Sequence, residues 1–175
     1  EEREPVYIPV ACFITSYGRV DTIRTSMKIR EYSLKKYGED RYYYSDTDSI
    51  HCGLNDEDLE ELKDEIFIDD YALGAWAKES DFERALFIRQ KCYVEEEKGK
   101  LNVTVAGLPK YLTPLITFEN FKRGFSTEGL TLDQMIKLAG KNGASLDEIK
   151  KIHHKLTYKY VKGGVILADT DFTIK

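Results

Sequence analysis

The sequence predicts an α+β fold, and three observations carry that prediction. Apolar residues after Pro9 recur at helical intervals. Residues 42–52, YYYSDTDSIHC, read as strand, turn and return strand. After Trp76 the pattern becomes extended, in ALFIRQKCYVEEE and KLNVTVAG, before two short helical segments.

The first element runs from about Pro9 to Tyr37, with Val10, Phe13, Ile14, Tyr17, Val20, Met27, Leu34 and Tyr37 near one stripe. Pro9 suits a first helical turn and Gly38 a C-terminal stop, while Gly18 weakens the helix without breaking it. The hairpin follows. Asn55 then caps a helix with Leu59, Leu62 and Ile66 on its apolar side; its acidic faces, from Asp56 to Asp70, read as solvated. EKGK is a hairpin-like turn between the two extended candidates. The character changes after Gly107 and Pro109, where a boundary is placed. TFENFKRGF is a short amphipathic segment. Thr131 with Gln134, and Ser145 with Glu148, each announce a helix by a capping box. GGVILADTDFTIK reads as a returning strand pair, and Trp76 as a core anchor.

The chain has 175 residues, enough for one domain with a core, or one with a small appendage. No apolar run approaches the ~20 residues of a membrane span. Cys12, Cys52 and Cys92 are far apart and odd in number, which fits a reducing setting and neither a disulfide framework nor zinc spacing. A net charge of −5 argues against a simple polyanion binder, yet the charge is uneven. Residues 1–100 hold 15 Lys+Arg against 24 Asp+Glu, and residues 101–175 hold 11 against 7. An acidic part joined to a basic part suits metal handling in one and polyanion gripping in the other. A segment opening EEREPVYIP without methionine is expected to be cut from a longer protein.

Asp46 and Asp48, one residue apart, point to one side of a strand or converge at a tight turn. A stiff hairpin presents oxygen ligands with little freedom left to lose, which suits Mg²⁺ and its ligand distances of ~2.0–2.1 Å. D-x-D also occurs in sugar-transferring enzymes, calcium loops and ordinary turns. The calcium loop fails: counted from Asp46, its fifth position is Ile50 and its required glycine is His51.

The longer string is more specific. YSDTDSI resembles the Y-x-D-T-D-S motif of family B DNA polymerases. EPVYIPVACFITSYGR is similar to the helix preceding that motif in the protein-primed phage branch, RQKCY to its K-x-Y element, and AGL, TFENFKRGF and DTDFTIK to its thumb. The resemblance runs in order and leaves chiefly residues 127–162 unmatched. It implies an antiparallel palm sheet with a catalytic β-hairpin packed on a long helix, followed by a small mixed α/β thumb. Residues 1–106 would be the C-terminal part of the palm, and 107–175 the thumb with a helical-hairpin insertion at about 131–155.

The resemblance further implies that Asp48 ligates the catalytic metal, with Asp46 the lesser ligand. Tyr44, Thr47 and Ser49 would fix the turn, or be plain hairpin residues. Lys91 and Tyr93 would meet the primer terminus; as extended residues i and i+2 they would share a face. Without the resemblance they read as a solvated lysine and a packed tyrosine. The implied cofactor is Mg²⁺, two ions in a complete enzyme, with Mn²⁺ as a substitute. The implied partners are primer-template DNA, a deoxynucleoside triphosphate and a terminal protein, in the cytoplasm of a bacterial host. The opposing aspartate motif and the triphosphate-gripping motif would lie upstream, so the segment alone is expected to be inactive.

Residues 131–155 resemble a helix-turn-helix, with a turn at Gly143 and a second helix bearing Lys150, Lys151 and Lys155. These lysines, with Lys122 and Arg123, are candidate phosphate contacts; plain packing of a helical hairpin is the competing reading. His153 and His154 read as a wet helix face. Two functional alternatives stay open: a non-catalytic DNA-binding module using residues 131–155, and a nucleotide-sugar transferase using Asp46 and Asp48.

Overall fold

The computed structural model describes residues 7–175, so Glu4, Pro5 and Val6 of the first matching stretch lie outside the described residues. The chain divides into two compact units, Glu1–Glu79 and Ser80–Lys175. Among the described residues the strands form three separate antiparallel sheets, of two, three and two strands.

In the first unit, α1 (Ile8–Tyr37) is unbroken at Gly18. Gly38, at φ 73°, ends it and donates its N–H to the Leu34 carbonyl at 3.0 Å, while Lys35 and Lys36 in the last turn complement the helix dipole. The expected apolar stripe is not the face that packs. Val10, Phe13, Ile14, Tyr17, Val20, Met27 and Leu34 are exposed, whereas Thr22, Thr25, Ser26, Ile29 and Ser33 are buried. These five also recur at three- and four-residue spacing, but four of them are hydroxyl residues. Small side chains let another backbone approach closely, and the hydroxyls of Thr22, Ser26 and Ser33 each donate to a carbonyl of the helix itself. Ser26 donates to the Thr22 carbonyl at 2.7 Å and Ser33 to the Arg30 carbonyl at 3.0 Å.

Against this face packs the hairpin of β1 (Tyr42–Asp46) and β2 (Ser49–Cys52). Ser33 Oγ accepts the Arg41 N–H at 3.2 Å where the chain enters the hairpin. Ile29, Leu62 and Ile66 form the core, with Tyr42, Ile50, Cys52 and Trp76 against it; Trp76 is half-buried there.

Asn55 caps α2 (Asp56–Glu61) as the sequence suggests: its side chain accepts the Asp58 N–H at 2.9 Å, and Asp58 accepts the Asn55 N–H at 3.0 Å. The helix is shorter than expected and not merely solvated. Asp58 is 1% exposed and anchors a polar cluster. Its Oδ1 accepts from Tyr37 at 2.7 Å, Lys36 at 2.8 Å and Tyr32 at 3.1 Å. Burial works to raise the Asp58 carboxyl, but the bonds from Lys36, Tyr37, the Asn55 N–H and Tyr32 outweigh it and hold the group well below the usual carboxylate range. The same bond to Asp58, foremost, raises Lys36. Desolvation, followed by its bond to Glu61, pushes Tyr32 up to about 12.

In the second unit, ALFIRQKCYVEEE is not one strand. It makes β3 (Arg84–Arg89) and β4 (Cys92–Glu97), joined at Gln90 and Lys91; β5 (Lys100–Val105) completes a meander in the order β3-β4-β5. Cys92 and Val94 face inward, onto Val105, Ile116, Phe121, Phe172 and Ile174. A 3₁₀ turn (Lys110–Leu115) and α3 (Leu132–Lys141) build a second core from Leu112, Leu115, Met135, Ala139 and Ile152. The amphipathic segment TFENFKRGF forms turns.

The second helix expected in 131–155 is one turn, α4 (Leu146–Ile149), so a helix-turn-helix with a groove-reading second helix is not formed. The cause lies just downstream. Ile152 is drawn into the core at 4% exposure, and Lys155 already begins β6 (Lys155–Val161). That strand, rather than a doubling back of GGVILADTDFTIK, pairs with β7 (Gly164–Thr170), in a register placing Tyr158 opposite Leu167 and Tyr160 opposite Val165. The remaining tail is stitched to residues 124–127: Gly124 donates to the Ile174 carbonyl at 2.7 Å and Thr127 to the Phe172 carbonyl at 2.9 Å.

Candidate active site

The carboxylate pair stands at the hairpin tip. Asp46 ends β1 and pairs with Ser49, leaving Thr47 and Asp48 as a two-residue turn. Thr47 has φ 52°, a left-handed conformation that a β-branched residue adopts only under restraint. The restraint is visible. Thr22 of α1 donates its hydroxyl to the Thr47 carbonyl at 2.9 Å, within reach also of the Gly18 carbonyl at 2.9 Å. Thr47 Oγ1 donates to Asp46 Oδ1 at 3.1 Å, and Ser49 Oγ to the Asp46 carbonyl at 3.1 Å. Tyr44 lies beside His51 with ring centroids 5.5 Å apart. Asp48 is exposed and Asp46 half-buried.

The strained, clamped turn thus holds one exposed carboxylate, Asp48, beside the half-buried Asp46 on a stiff support. Chemically that fits a divalent cation such as Mg²⁺. It is part of a shell only: among the described residues no group of three or more His, Cys, Asp or Glu side chains could hold a metal. Thr22 was not marked by sequence reasoning; the available signal was the i, i+3, i+4, i+11 recurrence of the hydroxyl residues Thr22, Thr25, Ser26 and Ser33. Thr22→Val is expected to destabilise the first unit by about 1 kcal/mol. Amide exchange around Thr47 and Asp48 should accelerate while the middle of α1 stays protected.

Lys91 and Tyr93 fall in the second unit. Lys91 is not extended: it is exposed in the β3–β4 turn at φ 53°, and its carbonyl accepts the Ala106 N–H at 2.7 Å. The shared-face argument therefore fails for this pair. Tyr93 lies in β4 on the side opposite Cys92 and Val94, with its ring 5.4 Å from that of Phe87. Lys122 and Arg123 are exposed on the loop between buried Phe121 and the tail-bonded Gly124. Lys150 and Lys151 are exposed just past α4. Lys155 is turned inward instead, donating to the Gly107 carbonyl at 3.0 Å beneath the Phe172 ring.

No family model matches the chain. Known proteins do. It is 33% identical over 193 residues to the DNA polymerases of Bacillus phages B103 and phi29, a match taking in 100% of this chain and 27% of each relative. The DNA polymerase of Streptococcus phage Cp-1 is 31% identical over 180 residues, again with the whole chain covered and 25% of the relative. Similarity to phage DNA polymerases thus extends from end to end of this chain.

Solved structures narrow the class. Phi29 DNA polymerase complexed with primer-template DNA and incoming nucleotide substrates superposes with a TM-score of 0.60 at 31% identity, and its orthorhombic crystal form with 0.62 at 33%; each match covers the whole chain and 27% of the polymerase. The chain is a homologue of the phi29-type phage DNA polymerases and spans 27% of the length of such a relative. No helix among the described residues is long and apolar enough to cross a membrane.

Proposed function

We propose that this chain is the part of a protein-primed family B DNA polymerase that carries the YSDTDS carboxylates and the primer grip. One observation carries the reading: Asp48 stands exposed on a strained turn clamped by Thr22, within a chain homologous to phage DNA polymerases from end to end. The reaction is attack of a primer 3′-hydroxyl on the α-phosphorus of a deoxynucleoside triphosphate. The new O–P bond forms as the bond to the β-phosphate bridging oxygen breaks, the hydroxyl proton is lost, and pyrophosphate leaves.

In this reading Asp48, with Asp46 the lesser ligand, holds Mg²⁺, which when bound supplies charge stabilisation for the attacking and departing oxygens. Tyr44, Thr47 and Ser49 keep the tip in shape. Thr22 and Thr47 fix the Asp48 backbone before substrate arrives, so little reorganisation is needed at the moment of reaction. Lys91 contributes a point charge for primer phosphate and Tyr93 a flat ring near the terminus. Lys122 and Arg123 are further candidates for backbone contact. The partners of the complete enzyme are primer-template DNA, deoxynucleoside triphosphate and a terminal protein, in the host cytoplasm. Residues 1–106 act as palm and 107–175 as thumb.

Two carboxylates without an opposing ligand bind Mg²⁺ poorly, so the chain alone is inactive. The test is primer extension with Mg²⁺, by the isolated chain and by a longer polymerase containing it. Only the longer protein should extend; extension by the isolated chain that survives Asp48→Ala would refute the assignment. In that longer enzyme, Lys91→Ala should weaken primer-template binding about 3- to 10-fold and flatten its salt dependence by one phosphate contact. Titrating anisotropy at two salt concentrations checks this.

A further inference from the structure

The segment expected to be a DNA-reading helix pair builds a different feature. Lys110, Tyr111 and Pro114 of the 3₁₀ turn face Glu148, Lys150, Lys151 and His153 across an open groove of about 610 Å³, wholly within the second unit. Tyr111 and His153 stack in its wall, with ring centroids 3.8 Å apart and 28° between planes. Tyr111 is half-buried and packs on the Leu112–Met135 core, so it backs the exposed His153 ring with a rigid plate. His153 Nδ1 lies 2.7 Å from the His154 carbonyl, which fixes the ring's orientation.

The charges favour an anion. Lys110, Lys150 and Lys151 are all exposed. The one carboxylate of the groove, Glu148, is committed to the α4 cap, where its Oε2 accepts from the Ser145 N–H and hydroxyl, both at 2.8 Å. Lys150 has only a long, wet contact of 3.8 Å to Asp147, which solvent screens. Three ammonium groups around a ring pair with one free π-face match a flexible polyanion with planar groups. A duplex hides its base faces; a single strand offers them.

We propose that this groove binds single-stranded nucleic acid, with Lys110, Lys150 and Lys151 on successive phosphates and an unstacked base on the outer face of His153. It uses none of the residues of the carboxylate hairpin and goes beyond the catalytic reading. The recognition is backbone charge plus stacking, without sequence choice.

The experiment is anisotropy of a fluorescein-labelled 12-mer of oligodeoxythymidylate titrated with the 175-residue chain at two salt concentrations. Lys150→Ala with Lys151→Ala should weaken binding at least tenfold and lower the salt slope by roughly 1.4, two single-strand contacts. His153→Ala should weaken binding about 5- to 100-fold with the slope unchanged, and His153→Phe should restore it. Circular dichroism confirms that each variant is folded, and His153→Phe serves if the alanine variant is not. Wild-type affinity in the lysine variant overturns the site. Failure of His153→Phe to bind better than His153→Ala, or equal competition by a 12-base-pair duplex, overturns the single-strand assignment. No catalysis is measured, so either failure leaves the polymerase reading standing.

Discussion

Asp48→Asn is expected to abolish nucleotide incorporation by a polymerase containing this chain while leaving the chain folded. Asn keeps the size of the side chain and removes its charge, and Asp48 is exposed on a turn whose shape is set by backbone restraint. The Thr22 bond is to the Thr47 carbonyl and does not involve the Asp48 side chain. The loss should therefore fall on kcat by a factor of at least about 10³, the scale of removing a principal electrostatic contributor to a transition state. Thermal unfolding and primer-template affinity should stay within error of the parent. Asp46→Asn should do less to the rate and more to the fold, since its carboxylate also accepts from Thr47 Oγ1. Single-turnover incorporation with both variants separates the two roles; an Asp48→Asn enzyme retaining a tenth of the parental rate would remove that carboxylate from the chemistry.

Asp58→Ala is expected to be the most destabilising single change in the first unit, by about 3 kcal/mol. The carboxylate is buried and accepts from Lys36, Tyr37, Tyr32 and the Asn55 N–H, so its loss strands several donors and removes half of a capping box. Lys36 keeps Glu61 at 2.9 Å, which limits the damage. The pH dependence follows from the same geometry. The Asp58 carboxyl lies below its ordinary value of 3.8 in the folded chain. Its contribution is complete above that value and is lost as pH falls below it toward the folded pKa. Lys36 behaves in the opposite sense: raised above 10.5, it contributes fully below that value and loses its effect as pH climbs past it. Urea midpoints of the parent should drop below about pH 4, and Asp58→Asn should flatten that acid limb. An unchanged limb in the variant would mean that other carboxylates govern acid unfolding.

Much of the framework was legible because it is locally encoded. Pro9 and Gly38 bracket α1, SDTD makes the hairpin turn, and the capping residues Asn55, Thr131 and Ser145 each stand where the sequence placed them. The tandem carboxylates and their motif were equally plain. Errors arose where tertiary packing overrode local pattern. The greasy stripe of α1 stays exposed while the hairpin seats on the hydroxyl face, where Thr22, Thr25 and Ser26 allow closer approach, and nothing local marks hydroxyl residues as a packing face. The turn at Gln90 and Lys91 contains neither glycine nor proline, so nothing local announced it. Lys155 looked like one more helical lysine, but strand pairing with Thr170 decides its place.

The N-terminal half of α1 has a practical consequence. From Ile8 to Val20 its large apolar side chains are all exposed, so those turns rest on helical propensity alone. The segment beyond Thr22 is instead clasped by the hairpin. A heating curve recorded at the helix's leading end should shift upward with protein concentration, whereas a probe near Ile29 should melt at a temperature independent of it. The isolated chain would then show two melting behaviours along a single rod, and detergent below its micelle threshold should merge them.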